Sequence, residues 1–212
     1  MNTLAQQIAE LNENLAQQVP SEVLELFSRS IEELKIQNLE ADTLAIGQPF
    51  PNFNLENASN ERIELKELLQ KGRVIVAFFR GNWCPYCSLE LRALQNQLSQ
   101  FMEKKVNLIA ISPQLVPYNE AVKTNLQLDF EVLTDSNNLL AKQVGISFNL
   151  QDFVISTYQN LGIKLGDYNG NEANELPFPA VFVLDQNGIV TYKFVDSNYM
   201  NRIDIDELLQ HI

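Results

Sequence analysis

The chain opens with apolar residues at helical spacing. Leu4, Ile8, Leu11 and Leu15 recur every three or four positions in an otherwise polar stretch, which predicts an amphipathic helix. Pro20 interrupts it and Ser21 stands where a cap would. Val23, Leu24, Phe27, Ile31 and Leu34 then mark a second helix of the same kind. "GQPFPNF" from Gly47 reads as loop, punctuated by Pro49 and Pro51. Phe53–Leu55 and Ile63–Leu65 read as short strands around the polar turn "ENASNER", and "LKELLQKG" as a helical turn or two ending at Gly72.

Beyond Gly72 the stripes give way to blocks. "VIVAFF" (Val74–Phe79) and "VNLIAIS" (Val106–Ser112) are continuous apolar runs of β-formers, the pattern of strands buried on both faces. Between them, Pro85–Phe101 reads as one helix, with Leu89, Leu91, Leu94, Leu98 and Phe101 on its apolar positions. "YNEAVKTNL" reads as a helix, "FEVLTD" as a short strand and "NNLLAKQVG" as a helix closing at Gly145. The stretch from Ser147 to Glu175 is less regular, with one helix in "LQDFVISTYQNLG". Ala180–Leu184 is a third buried strand, turned back by "DQNG" into "IVTYKFV", and a short helix near Ile205–Gln210 ends the chain. The order β-α-β-α-β-α with a late hairpin predicts an α/β fold, a central mixed sheet with helices on both faces. No internal repeat or low-complexity segment interrupts it.

At 212 residues and 45% hydrophobic, the chain has material for one sizeable core and a short extension. The divide is drawn at 1–45 for the helical extension and 46–212 for the α/β domain. The extension carries no catalytic residue types. Its two helices can cover the domain or pair with a second copy of the chain as a homodimer. No apolar window reaches the ~18 residues of a membrane span, and the N-terminus lacks the basic start and apolar block of a secretory signal. The expected location is therefore the cytoplasm, where thiols are kept reduced. A formal net charge of −12 with no basic stripe argues against nucleic acid and anionic membranes as partners.

Candidate chemistry is concentrated in "FFRGNWCPYCSLEL" (Phe78–Leu91), which holds Cys84 and Cys87, the only cysteines of the chain. C-x-x-C beside a βαβ pattern in a reducing compartment reads as a redox motif. The strand leads into the loop Arg80–Trp83, and Pro85 suits the first helical position. Cys84 then sits at a helix N-terminus, where unpaired N–H groups favour its thiolate, with Arg80 upstream to add positive charge. Cys87 lies one turn inside the helix, close enough for a disulfide. Burial would raise its pKa relative to Cys84. The competing readings are two cysteines packed as small hydrophobes and a metal site. The latter needs about four ligands, and only Cys84, Cys87 and His211 are on offer; no metal or cofactor is expected. Trp83 and Tyr86 flank the sulfurs, as a binding surface or as ordinary partly buried aromatics. Pro179, just before the third buried strand, is tolerated there for ordinary reasons and is also a candidate cis-proline. His211 falls in the last helical turn, with no catalytic part assigned.

At these residues the chain resembles the thioredoxin-fold superfamily from about Gly47 to its end. "CPYC" is similar to the glutaredoxin active site, and Pro179 matches the cis-proline that faces the disulfide in thioredoxins. The wider chain resembles the alkyl hydroperoxide reductase/thiol-specific antioxidant family, the peroxiredoxins. It is most similar to a peroxiredoxin-like group with "FFRGNWCPYC", "ELPFPAVFVLDQNG" and "FVDSNYMNRI" behind two N-terminal helices. The resemblance implies a thioredoxin-like fold and thiol-based antioxidant chemistry. Laid on the peroxiredoxin pattern Pro-x-x-x-Thr-x-x-Cys, the attacking position is Cys87, the threonine position Cys84 and the proline position Arg80. The family's arginine before the last core strand falls at Pro179, and Glu90 matches a recurrent glutamate. Two mechanisms stay open. Cys87 attacks a hydroperoxide and Cys84 resolves the sulfenic acid, with thioredoxin, glutaredoxin or glutathione as reductant. Alternatively Cys84 attacks a partner protein's disulfide and Cys87 releases it. A redox sensor that only switches conformation is the non-enzymatic alternative.

Overall fold

The computed structural model describes residues 2–212. Helix α1 (Leu4–Gln18) starts on a capping box, in which Thr3 accepts from the Gln6 backbone N–H and the Gln6 side chain accepts from the Thr3 N–H. Helix α2 (Ser21–Gln37) follows. Ser21 is its first helical residue rather than its cap. Pro20, which has no N–H to lose, takes the boundary position.

The α/β domain runs through β1 (Asn54–Asn57), β2 (Arg62–Glu64), α3 (Leu65–Lys71), β3 (Arg73–Phe78), α4 (Pro85–Asn96), α5 (Leu98–Glu103), β4 (Val106–Ser112), α6 (Val116–Leu126), β5 (Glu131–Thr134), α7 (Leu139–Gln143), β6 (Ser147–Asn149), α8 (Asp152–Asn160), α9 (Leu165–Asn169), β7 (Glu175–Pro177), β8 (Ala180–Leu184), β9 (Val190–Val195) and α10 (Ile205–Gln210). Seven strands form one sheet in the order β2-β1-β5-β4-β3-β8-β9, while β6 and β7 make a separate ribbon. Pairings β3/β4 and β4/β5 are parallel; β1/β5, β1/β2, β3/β8 and β8/β9 are antiparallel. The sheet is mixed, as the sequence predicts.

Strand alternation divides the core. Val74, Val76 and Phe78 enter one cluster; Ile75, Ala77 and Phe79 enter the other, which also takes in Cys84 and Cys87. The single helix expected over Pro85–Phe101 is broken. Gln97 leaves the helical region (φ −101°, ψ 0°), and its N–H closes a tight turn on the Leu94 carbonyl at 3.0 Å. The break lets α5 turn Phe101 fully into the core. The "DQNG" turn forms as expected. The Asp185 carboxylate accepts from the Asn187 and Ile189 N–H groups at 2.8 and 2.9 Å, and Gly188 takes a positive φ of 77°.

The N-terminal helices lie against the chain's own α/β domain. Helix α1 packs along α4, with Ile8, Leu11 and Leu15 against the core cluster that holds the cysteines. Helix α2 packs along α8, where Phe27 meets Tyr158 edge-on at 5.8 Å between ring centroids. Among the described residues no helix is long and apolar enough to cross a membrane.

Candidate active site

Strand β3 ends at Phe78 and the chain turns through Arg80–Trp83 into α4, whose N-terminal boundary residue is Cys84 and whose first residue is Pro85. The geometry matches the sequence expectation because a proline with fixed φ is already shaped for that position. Both cysteines are free thiols and both are buried, 2% exposed for Cys84 and 1% for Cys87.

Two guanidinium groups reach the sulfurs. Arg80 is fully buried; its Nη1 lies 4.0 Å from Cys84 Sγ and its backbone N–H 3.5 Å from Cys87 Sγ. Its Nη2 donates to the Tyr158 hydroxyl. The aromatic faces of Tyr199 and Trp83 lie 4.1 and 5.0 Å from its central carbon, a cation–π enclosure. Arg202, in the loop after β9, has a fully buried side chain. Its Nη2 sits 3.3 Å from Cys87 Sγ and 3.9 Å from Cys84 Sγ, while its Nε pairs with Glu90 at 3.3 Å.

The charge balance of this cluster is informative. Buried ions need partners. Glu90 serves Arg202, but no carboxylate among the described residues lies within ion-pair distance of Arg80. Arg80 faces instead the Tyr158 hydroxyl and the two cysteine sulfurs. Burial alone pushes the Cys84 thiol up. The hydrogen bond from the Cys87 thiol and the charges of Arg80 and Arg202 outweigh it and bring the pKa down to about 5. Cys87 moves the opposite way, raised by burial and by its bond to and charge repulsion from Cys84. Burial also lifts Glu90 to about 7, against the pull of Arg202 and of the Ile203 N–H. The two thiols titrate as a coupled pair, of which Cys84 is the more acidic member and Cys87 the less acidic.

This ties stability to pH. Cys84 is depressed from an ordinary 9.0 to about 5, so the folded state binds fewer protons than the unfolded state in that window. Its contribution is complete above pH 9, declines as pH falls and is gone below about 5. Urea midpoints of the reduced protein and of Cys84→Ser should therefore draw closer stepwise from pH 9 to pH 5. Glu90 tilts both proteins the other way, losing stability as pH rises from about 4.5 to 7, so the difference between the two proteins is the quantity to read.

Each candidate residue has a definite place. Trp83 and Tyr86 flank Cys84; Trp83 packs against Tyr158, and Tyr86 against Tyr199, while the Tyr86 hydroxyl bonds Asn12 of α1 at 2.6 Å. Glu90 and Arg80 join the cluster as described. Pro179 is buried ahead of β8 and makes no hydrogen bond to either sulfur. The Phe178–Pro179 peptide is trans, unlike the cis geometry considered for it. The chain passes from β7 to β8 in extended form, held by Phe178 N–H to the Ile146 carbonyl at 2.8 Å and Asp196 N–H to the Pro179 carbonyl at 3.4 Å, so no tight turn demands the cis form. His211 lies just past α10, stacked on Tyr192 at 4.2 Å, away from the cysteines in its contacts. Arg202, Tyr158 and Tyr199 carry no signal of their own in the sequence. Arg202 stands inside "FVDSNYMNRI", but in a loop without periodicity nothing links it to a sulfur more than a hundred positions earlier.

Known proteins resemble this chain in sequence and fold to differing extents. The putative peroxiredoxin bcp of Buchnera aphidicola subsp. Schizaphis graminum is 30% identical over 104 residues, covering 49% of this chain and 65% of that protein. The thiol-disulfide oxidoreductase ResA of Bacillus subtilis is 34% identical over 71 residues, 34% of this chain and 38% of that protein. The chain thus spans 65% or less of the length of these two relatives. Among solved structures, the peroxidoxin BcpB of Mycobacterium tuberculosis superposes with a TM-score of 0.62 at 18% identity, covering 79% of this chain and 96% of that one. The reduced 2-Cys peroxiredoxin of Plasmodium vivax gives 0.58 at 20% identity, with 79% and 93% covered. These likenesses establish the thioredoxin-like fold. The sequence model of the AhpC/TSA family matches residues 46–193, a span that takes in β3, the Arg80–Trp83 loop and both cysteines, and the chain accordingly belongs to the AhpC/TSA family.

Proposed function

We infer that the chain is a thiol peroxidase whose attacking sulfur is Cys84. One observation carries the reading: the acidic thiol is the one that lines a cavity of about 410 Å3, between two guanidinium groups. The Cys84 thiolate attacks the outer oxygen of a hydroperoxide ROOH. The O–O bond breaks, an S–O bond forms, and the alkoxide leaves as ROH after taking a proton. Arg80 and Arg202 stabilise the charge as it moves from sulfur to oxygen. Cys87 then attacks the Cys84 sulfenic acid, the S–S bond forms and water leaves. Two electrons and two protons from glutathione or from a thioredoxin- or glutaredoxin-type dithiol restore both thiols.

This assignment reverses the roles implied by laying the peroxiredoxin pattern on the chain, which makes Cys87 the attacker. The physical ground is that Cys87 is deeper and its pKa is raised, so it is the poorer nucleophile at neutral pH. A protein disulfide is the alternative substrate; it meets the same buried Cys84 sulfur, 2% exposed, that a protein reductant has to reach. Reduced protein treated with one equivalent of hydroperoxide should yield a Cys84–Cys87 disulfide, seen by mass spectrometry as the loss of two hydrogens within one tryptic peptide. Peroxide consumption should continue only with added thiol reductant. Catalysis of insulin disulfide reduction without hydroperoxide consumption would instead make disulfide exchange the activity.

A further inference from the structure

We propose that the two N-terminal helices are the specificity element of this enzyme, forming with the domain a pocket that takes the apolar body of an organic hydroperoxide. The proposal rests on the peroxidase reading above and names the substrate class for that same sulfur. Residues 1–45 lie outside the segment that matches the family, yet they supply seven of the seventeen residues that line the cavity at Cys84. Leu15 and Val19, at the end of α1, and Leu24 and Phe27 of α2 face Leu161 and Ile163, which follow α8. The space between them, about 410 Å3, falls in the range of sites for small organic molecules. Hydrogen peroxide needs none of it.

Most of the polar lining is linked in pairs: Arg80 reaches the Cys84 sulfur and the Tyr158 hydroxyl, and Tyr86 bonds Asn12. The Arg80 Nε–H is buried without an acceptor among the described residues. An oxygen-bearing head with an apolar body matches this lining. An ion or a sugar would leave the aliphatic wall unused and its own polar groups unpaired. The α1 wall is also fixed in place rather than loosely laid on, because Asn12 bonds Tyr86 directly beside Cys84.

Ala16 of α1 and Ser28 of α2 are small residues that contribute to the lining, and a larger side chain at either would enter the opening. Trp83 is the only tryptophan of the chain, so its fluorescence reports on the pocket directly. The probe is cumyl alcohol, the product of cumene hydroperoxide reduction. Wild-type protein should show saturable change of Trp83 emission on titration with it, and Ala16→Phe should weaken that binding at least about tenfold. In the same variant the ratio of kcat/KM for cumene hydroperoxide to that for hydrogen peroxide should fall by a similar factor. Ser28→Phe is the second variant, on the other helix, should the first misfold. A ratio unchanged in both variants, or no saturable binding by the wild type, overturns the proposal. Binding weakened by the variants in a protein that consumes no hydroperoxide upholds the pocket and overturns the peroxidase reading.

Discussion

Cys84→Ser should abolish hydroperoxide turnover, while Cys87→Ser should complete one turnover and stop. Serine at 84 has no accessible anion near neutral pH, so the nucleophile is lost and the rate should fall by about 10³-fold or more. Serine at 87 leaves the Cys84 thiolate between Arg80 and Arg202 but removes the resolving sulfur. The first reaction then proceeds and strands Cys84 as a sulfenic acid, which dimedone should trap in stoichiometric amount. Loss of the Cys87 thiol also removes a hydrogen bond that lowers the Cys84 pKa. The single turnover should consequently be slower than in the wild type near the acid end of the profile. Stoichiometric trapping at Cys87 in the Cys84→Ser protein would reverse the assignment and restore the roles given by the peroxiredoxin pattern.

The strand-to-helix passage that carries the two sulfurs is legible because its determinants are local. An apolar β-run, a proline at the first helical position and the C-x-x-C spacing all lie within one short window, and each has a physical meaning independent of the rest of the chain. The stripes of α1 and α2 are legible for the same reason. What the window does not contain is the source of the acidity. The sequence attributes a low Cys84 pKa to the helix terminus and Arg80. In the folded chain the Cys87 hydrogen bond leads, Arg80 follows, and Arg202 joins them from a loop after β9. Arg202 reaches the site only because β9 runs antiparallel to β8 and returns the chain beside α4, a long-range pairing that no local pattern encodes. Tyr158 arrives through packing of α8 under α2. The short ribbon β6–β7 escapes a sequence reading because three-residue strands leave no measurable alternation. The helix break at Gln97 escapes it because the apolar spacing continues across the break.

The same geometry explains how a site can lack the peroxiredoxin arginine at position 179 and still surround its sulfur with positive charge. Pro179 lies ahead of β8, and the guanidinium comes from Arg202, on the far side of the β8–β9 hairpin, anchored by Glu90. Glu90 is thus a positioning residue: it touches Arg202 rather than the sulfurs. Burial raises its pKa to about 7 against the pull of Arg202 and of the Ile203 N–H.

Arg202→Gln tests that account through the pH profile as well as the rate. Glutamine keeps a donor near the sulfurs but removes the charge. With one guanidinium left, the Cys84 pKa should rise, moving the acid limb of kcat/KM from about 5 toward neutrality by ~1–3 pH units. Loss of charge stabilisation as the O–O bond breaks should lower the plateau rate by ~10²-fold, and the plateau should stay low at high pH, where the thiolate is fully formed. These effects separate cleanly: an Arg202 that only tunes the thiol would give a shifted limb with an unchanged plateau. Glu90→Gln should shift the limb far less, because the amide carbonyl it introduces can still accept from Arg202 Nε while the arginine keeps its charge. Ultraviolet absorbance of the thiolate, followed against pH in both variants, gives the Cys84 titration without turnover. A Cys84 titration in Arg202→Gln that superposes on the wild type, together with an unchanged plateau rate, would remove Arg202 from the mechanism and leave Arg80 as the one charge that acts on the sulfur.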